Sequence, residues 1–203
     1  RNEGDFNFTD VTKEHELTEY GFGWGGVFED INLDGELDLI VAQNYIKWPG
    51  HAVKKLPNKA FLQLSQKNQK AFYHVDELGL NNPYFGQSPL IVDIDNNGKP
   101  DVIWLNMAGP ARAFLNQSNN NFLKVRVPDN SAYLGGEITV NTDDGQSYTR
   151  QIVASTGFGT DQTPNVFFGL GKTNGIREIR VKKANGQESK IPNPEVNSTI
   201  TLN

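Results

Sequence analysis

The stretch Gly25-Gly26-Val27-Phe28-Glu29-Asp30-Ile31-Asn32-Leu33-Asp34-Gly35-Glu36-Leu37-Asp38-Leu39-Ile40-Val41 decides the reading of this chain, because it occurs twice. Its second copy is Ser88-Pro89-Leu90-Ile91-Val92-Asp93-Ile94-Asp95-Asn96-Asn97-Gly98-Lys99-Pro100-Asp101-Val102-Ile103-Trp104, at an offset of 63 residues. Phe22-Gly23 precedes the first copy at the same distance as Phe85-Gly86 precedes the second. The flanks repeat as well: Phe8 to Thr12 resembles Phe72 to Asp76, and Ala60-Phe61-Leu62-Gln63 resembles Ala113-Phe114-Leu115-Asn116. An internal repeat at such a period marks an array of like supersecondary units.

Each unit is predicted to hold four short strands. One apolar run enters an Asp-rich loop, and a second (Leu37 to Ala42, or Val102 to Leu105) leaves it. A third strand is expected near Ala60 to Leu64 or Arg112 to Asn116. A fourth is expected near Phe6 to Val11 or Ala71 to Val75. The apolar runs are nearly continuous, which suits strands buried on both faces. Four antiparallel strands per repeat is the plan of a propeller blade. Residues 45–58 are an insertion of the first unit, mildly basic and carrying Trp48.

Within the loops, oxygen-bearing side chains recur at positions 1, 3, 5 and 9: Asp30, Asn32, Asp34 and Asp38, then Asp93, Asp95, Asn97 and Asp101. Calcium takes about 6–8 oxygen ligands, and this spacing supplies them with the backbone carbonyls of Glu36 and Lys99 at position 7. Glycine at position 6 (Gly35, Gly98) permits a sharp turn. Two calcium ions are therefore expected, one per loop. Magnesium suits the site less, because it keeps its waters and demands octahedral geometry. The loop is not an EF-hand, since position 12 is Val41 or Trp104 rather than Glu and the flanks read as strands.

Residues 122–203 follow another pattern. Seven strands are expected, near Phe122-Val127, Gly136-Asn141, Ser147-Ala154, Asn165-Gly169, Ile176-Lys182, Glu188-Ile191 and Ser198-Leu202. Asp144-Gly145 and Asn185-Gly186 are hairpin signals. The alternation of Ile176, Ile179 and Val181 with Arg177, Arg180 and Lys182 suits a small antiparallel sandwich with one wet face. The fold class is thus all-β, with two four-stranded blade-like repeats in 1–121 and a sandwich-like unit in 122–203. Ser118 to Asn121 reads as a polar linker, and limited proteolysis is expected there or in 45–58.

The Phe-Gly approach, the Asp-rich loop and the following apolar strand resemble FG-GAP (VCBS-type) repeats. That resemblance implies calcium-binding blades of an integrin-like propeller. The second unit departs from the pattern, with Gln87-Ser88-Pro89 for Trp24-Gly25-Gly26 and Asn97 at position 5. Its site is expected to be the weaker. Phe122-Leu123-Lys124-Val125, Gly135-Gly136-Glu137-Ile138, Ser155-Thr156-Gly157-Phe158-Gly159 and Phe167-Phe168-Gly169-Leu170-Gly171 resemble the ASPIC/UnbV domain. Repeats followed by that domain are the arrangement of the cartilage acidic protein family and its bacterial secreted relatives. The resemblance implies a secreted or periplasmic location more than a chemistry.

Several function classes fall away. Cysteine is absent, which removes thiol nucleophiles and Cys-ligated zinc. The net charge is -5 with no basic cluster, which argues against nucleic acid. No apolar run is long enough for a membrane span. Residues 1–121 hold 16 Asp and Glu against 10 Lys and Arg, while 122–203 hold 8 against 9, so the acidity follows the loops. Gly171-Lys172-Thr173 lacks the upstream glycine of a phosphate loop, because Val166 stands there. His15, His51 and His74 share no metal spacing, and there is no Gly-x-Ser-x-Gly elbow.

The leading expectation is a secreted, calcium-stabilised adhesion or protein/glycan-interaction module with structural ions. The rival is an extracellular carbohydrate-active enzyme, for which Asp10, Glu29, Asp76 and Glu77 are unpaired candidate carboxylates. The absence of a catalytic constellation favours the module over the enzyme. A third reading is a C-terminal fragment of a larger propeller. The chain opens at Arg1 with its only Met at 107, and two units cannot close a ring of at least four blades. Missing N-terminal blades or self-association would then cover the open edges.

Overall fold

The computed structural model describes all residues except 16, 18–21, 48–51, 56–58, 67–68, 75–77 and 129–131. For 44–47, 52–55, 59, 61, 64–66 and 69–71 it describes the backbone only. Trp48, His51, Asp76 and Glu77 thus lie outside the described residues. The described chain is all-β, with no helix and no closed barrel. Among the described residues, no helix is long and apolar enough to cross a membrane.

A small N-terminal hairpin pairs β1 (Asn2–Gly4) with β2 (Asn7–Phe8). The strand expected at Phe6 to Val11 is thereby reduced to two residues. Its reason is local: Asp5 and Phe6 both have positive φ, so the chain turns back at once.

The first repeat forms a sheet of β3 (Phe22–Glu29), β4 (Asp38–Lys47), β6 (Lys59–Gln66) and β7 (Gln69–His74), in the order β3-β4-β6-β7. The insertion adds β5 (Ala52–Lys55), paired to the far end of β4. The second repeat forms β8 (Phe85–Val92), β9 (Asp101–Ala108) and β10 (Arg112–Phe114), in the order β10-β9-β8. The two hairpins close on equivalent pairs, Glu29 with Asp38 and Val92 with Asp101.

The expectation that the entering strands are buried on both faces does not hold for β3. Its burial alternates, with Phe22 54% and Phe28 56% exposed while Val27 is buried. Only one face of β3, the one that carries Val27, packs into the core of the repeats, and the other is left to solvent.

The remaining strands are β11 (Asn121–Arg126), β12 (Glu137–Thr142), β13 (Ser147–Gln151), β14 (Val166–Gly171), β15 (Ile176–Lys182), β16 (Glu188–Pro192) and β17 (Ser198–Thr201). All seven expected strands are present within a few residues. They form two sheets, β14-β11-β17 and β13-β12-β15-β16. One detail lies beyond any hairpin reading: β11 pairs with β17 in parallel, so the last strand returns to the first.

Two hydrophobic clusters hold the chain together. One joins Leu123, Val125, Phe168 and Leu170 to Ile138, Val140, Ile179 and Val181, and so unites the two C-terminal sheets. The other joins Val27, Ile40, Leu62, Ile91 and Trp104 of the repeats, and it includes Phe167 from β14. Burial of apolar side chains is worth roughly 1.5–3 kcal/mol each, so Phe167 fastens the C-terminal unit to the repeats.

Polar contacts do the same. Gln162 accepts from Ile91 N–H at 2.7 Å and donates to the Pro89 carbonyl at 3.2 Å. It stands where a neighbouring strand would, on the free edge of β8. Gln162→Ala should therefore cost about 1–3 kcal/mol, because it leaves a buried N–H unpaired. Denaturant melts of the two proteins would read this as a lower midpoint at unchanged slope. The segment expected to be a linker is also tied down. Ser118 Oγ and Asn120 Nδ2 donate to the Asn32 carbonyl at 2.8 and 2.9 Å, and Asn121 Nδ2 donates to that of Thr173 at 2.9 Å. These bonds oppose the proteolytic opening that its composition suggests.

Candidate metal centre

The two loops share a set of side-chain to backbone bonds, to which the first adds one, from Asp34 N–H to Asp30 Oδ1 at 3.0 Å. The position 6 amide donates to the position 1 carboxylate: Gly35 to Asp30 at 2.8 Å, Gly98 to Asp93 at 2.9 Å. The position 2 amide donates to the position 9 carboxylate: Ile31 to Asp38 at 3.0 Å, Ile94 to Asp101 at 2.7 Å. The position 5 amide donates to the position 3 side chain: Asp34 to Asn32 at 3.0 Å, Asn97 to Asp95 at 3.2 Å. The position 7 amide donates to the position 5 side chain, Glu36 to Asp34 and Lys99 to Asn97, at 2.9 Å in each loop.

The third strand of the first repeat, and the segment just after that of the second, also take part. Gln63 N–H donates to the second oxygen of Asp38 at 3.0 Å, and Asn116 N–H to that of Asp101 at 2.8 Å. Short Asp and Asn side chains form such bonds because they reach backbone amides two residues on without strain. The repeat seen in sequence is therefore a repeat in atomic detail. Positive φ recurs too, at Leu33 and Gly35 in one loop and Asn96 and Gly98 in the other. The glycines were expected; the left-handed Leu33 and Asn96 were not, because position 4 has no residue type in common.

Asparagine and aspartate exchange places between the loops. Asn32 Nδ2 donates to Asp34 at 2.9 Å, and Asn97 Nδ2 donates to Asp95 at 3.0 Å. Each loop thus keeps three carboxylates and one amide. In the second loop the carboxylates of Asp93, Asp95 and Asp101 offer oxygens that all lie within 4.8 Å of one another. Asp93 Oδ1 is buried and has no hydrogen-bond partner. A buried carboxylate oxygen without a partner is costly, and a cation held with Asp95 and Asp101 would supply the partner it lacks.

The first loop is the drier of the two. Asp30 and Asp38 are fully buried. Burial pushes Asp30 up to about 7 and Asp38 up to about 8, against backbone hydrogen bonds that favour the charged forms. Asp101 is raised for the same reason. Half-buried Glu29, which accepts from Asp30 N–H at 3.1 Å, is raised to about 8 by burial. Concentrated carboxylates in little water hold protons unless a cation neutralises them. Glu36, expected to offer its carbonyl, also accepts Gln63 Nε2 on its carboxylate at 2.8 Å. Lys99 sends its ammonium to the Ser118 carbonyl at 2.5 Å.

The C-terminal unit reaches both loops, which sequence reasoning missed. Gly169 N–H donates to Asp30 Oδ2 at 3.1 Å, and Gly171 N–H to the Leu33 carbonyl at 2.9 Å. Arg150 donates to the Gly35 carbonyl at 3.0 Å. Lys124 Nζ lies 2.7 Å from Asp93 Oδ2, with side chains only 4% and 2% exposed. A signal existed for the last of these. Lys124 interrupts the apolar run Phe122 to Val125, and a lysine in a buried strand calls for an acidic partner.

Asp10 is exposed and bonded to Thr12 within its own turn. Trp104 is in the core, its Nε1 donating to the Leu80 carbonyl at 2.8 Å. Trp24 packs edge-on against Phe158 at 5.3 Å. His15 packs on Phe72 at 5.7 Å.

These features define an all-β protein with a pair of Asp-rich hairpin loops docked against a C-terminal β unit. Residues 126–203 match the family model described as ASPIC and UnbV. The match begins inside β11 and does not extend to the Asp-rich repeats. No curated protein matches the chain.

Proposed function

We propose that the Asp-rich repeats are FG-GAP-type blades, each holding one structural calcium ion, in a secreted or periplasmic adhesion or protein/glycan-interaction module. The observation that carries this reading is the unpartnered, buried Asp93 Oδ1 beside Asp95 and Asp101. The bonds the first loop shares with the second extend it to Asp30, Asn32, Asp34 and Asp38, with the carbonyls of Glu36 and Lys99 as further ligands, although Asp30 Oδ1, unlike Asp93 Oδ1, accepts an amide, that of Asp34 at 3.0 Å. Hard oxygen donors from carboxylates, amides and carbonyls suit calcium.

The ions act on the fold in this reading. Each would neutralise carboxylates that otherwise repel one another, and so hold its hairpin closed against the C-terminal unit. The exposed aromatics Phe22, Phe28 and Phe158 support a role in contact with a partner. A protein or glycan partner fits a chain of net charge -5 with no basic cluster better than nucleic acid does.

Calorimetry of the chelated protein with calcium tests the reading. Two ions should bind, with Kd values in the range of roughly 10⁻⁴–10⁻³ M typical of extracellular modules. Asp34→Ala should abolish one of them and leave the other. Absence of binding would reduce the loops to plain turns.

A further inference from the structure

We infer that Lys124 is a built-in counter-charge of the second Asp-rich loop, which competes with a divalent ion there and keeps that loop folded without one. The inference rests on the calcium reading above. Lys124 comes from 31 residues beyond Asp93 in sequence, yet its ammonium lies 2.7 Å from Asp93 Oδ2. The pair is buried from water on both sides.

Lys124 cannot easily withdraw. It stands in the central strand of the β14-β11-β17 sheet, opposite Phe167 on one side and Thr199 on the other. Its ammonium also lies 5.7 Å from the centre of the Phe167 ring. Asp93 Oδ2 accepts both Lys124 and the Gly98 amide, while Oδ1 accepts nothing. One carboxylate oxygen is thus committed to a fixed cation and the other is left for an ion.

Among the described residues, no cation is bonded to a ligand carboxylate of the first loop. Asp30 Oδ2 takes neutral amides, from Gly35 and Gly169, and Arg150 spends its bond on a carbonyl. A cation reaches each loop, but Arg150 is bonded to the Gly35 carbonyl whereas Lys124 is bonded to a ligand carboxylate. A cation bonded to a ligand carboxylate repels a divalent ion even at an effective dielectric near ~20. Conversely, a buried carboxylate that loses its lysine is left uncompensated until an ion replaces it. Chelation should accordingly act chiefly on the first loop.

The test uses the full chain carrying Asp34→Ala, which silences the first loop, with and without Lys124→Gln or Lys124→Met. Calcium is titrated by calorimetry, and melting is followed in chelator and in saturating calcium. Each lysine variant is expected to tighten the remaining site by at least about tenfold and to melt lower in chelator, with recovery in calcium. A variant that folds only in calcium gives the same answer. Calcium binding that is unchanged or weaker in both variants overturns the inference while leaving the calcium reading intact. So does failure of both to fold at saturating calcium, because the ion then cannot stand in for the lysine. If neither the native chain nor any variant binds calcium, both readings fall.

Discussion

Chelation of the native protein should lower its melting temperature by about 3–12 °C, and calcium should restore it better than magnesium. At about 1 mM calcium and a Kd near 10⁻⁴ M, one bound ion stabilises the native state by roughly 1.4 kcal/mol. Two ions contribute at most about 3 kcal/mol, and less as Lys124 weakens the second site, still a sizeable share of the ~5–15 kcal/mol of a typical domain. In a chain of this length each kcal/mol moves the midpoint by about 2–4 °C. Asp34→Ala should remove about half of the calcium dependence or more, since it deletes a ligand of the first loop only. A melting curve indifferent to chelator would show that the loops need no ion.

The same carboxylates set a pH dependence, and its sign differs with and without calcium. In the chelated protein, burial lifts Asp30 to about 7 and Asp38 to about 8 from 3.8. The folded state then holds protons that the unfolded chain releases. Stability from these groups is fully present below the unfolded value and is lost as pH rises through the folded values. Chelated protein should therefore melt progressively lower between about pH 5 and pH 8. Bound calcium needs the ionised carboxylates, so protons oppose it, and the melting temperature in calcium should stay level or rise over the same interval. Parallel scans across that interval, with a curve falling equally in both conditions, would contradict this account.

Gly169→Ala is expected to be among the most damaging single substitutions in the chain, costing about 1–3 kcal/mol or more. A Cβ at Gly169 would meet Asp30 Oδ2 at 2.1 Å and the Leu33 backbone at 2.4 and 2.5 Å. Backbone atoms cannot move aside as a flexible side chain can, so the β14 strand and the first loop must separate. That breaks the Gly169 N–H to Asp30 bond and disturbs the carboxylate at position 1. The variant should lose calcium binding at the first loop while the second loop retains it. Calorimetry that finds both ions bound with native affinity, together with an unchanged melting point, would show that the contact is slack.

The two Asp-rich loops were legible in the sequence because their bonds are local. Positions 1, 3, 5 and 9 serve amides a few residues away, so spacing dictates the geometry wherever two strands hold the ends. The seven C-terminal strands were legible for the same kind of reason, through hairpin turns and the alternation of Ile176, Ile179 and Val181 with charged neighbours. What lies far apart in sequence was decided by tertiary structure. Phe167 in the core of the repeats, Gly169 against Asp30 and Lys124 against Asp93 each join residues tens of positions apart, and no period or spacing encodes such meetings. The exposure of Phe22 and Phe28 belongs with these. An apolar strand reads alike whether one face is covered or both, and only the packing of its neighbours determines which faces lose water.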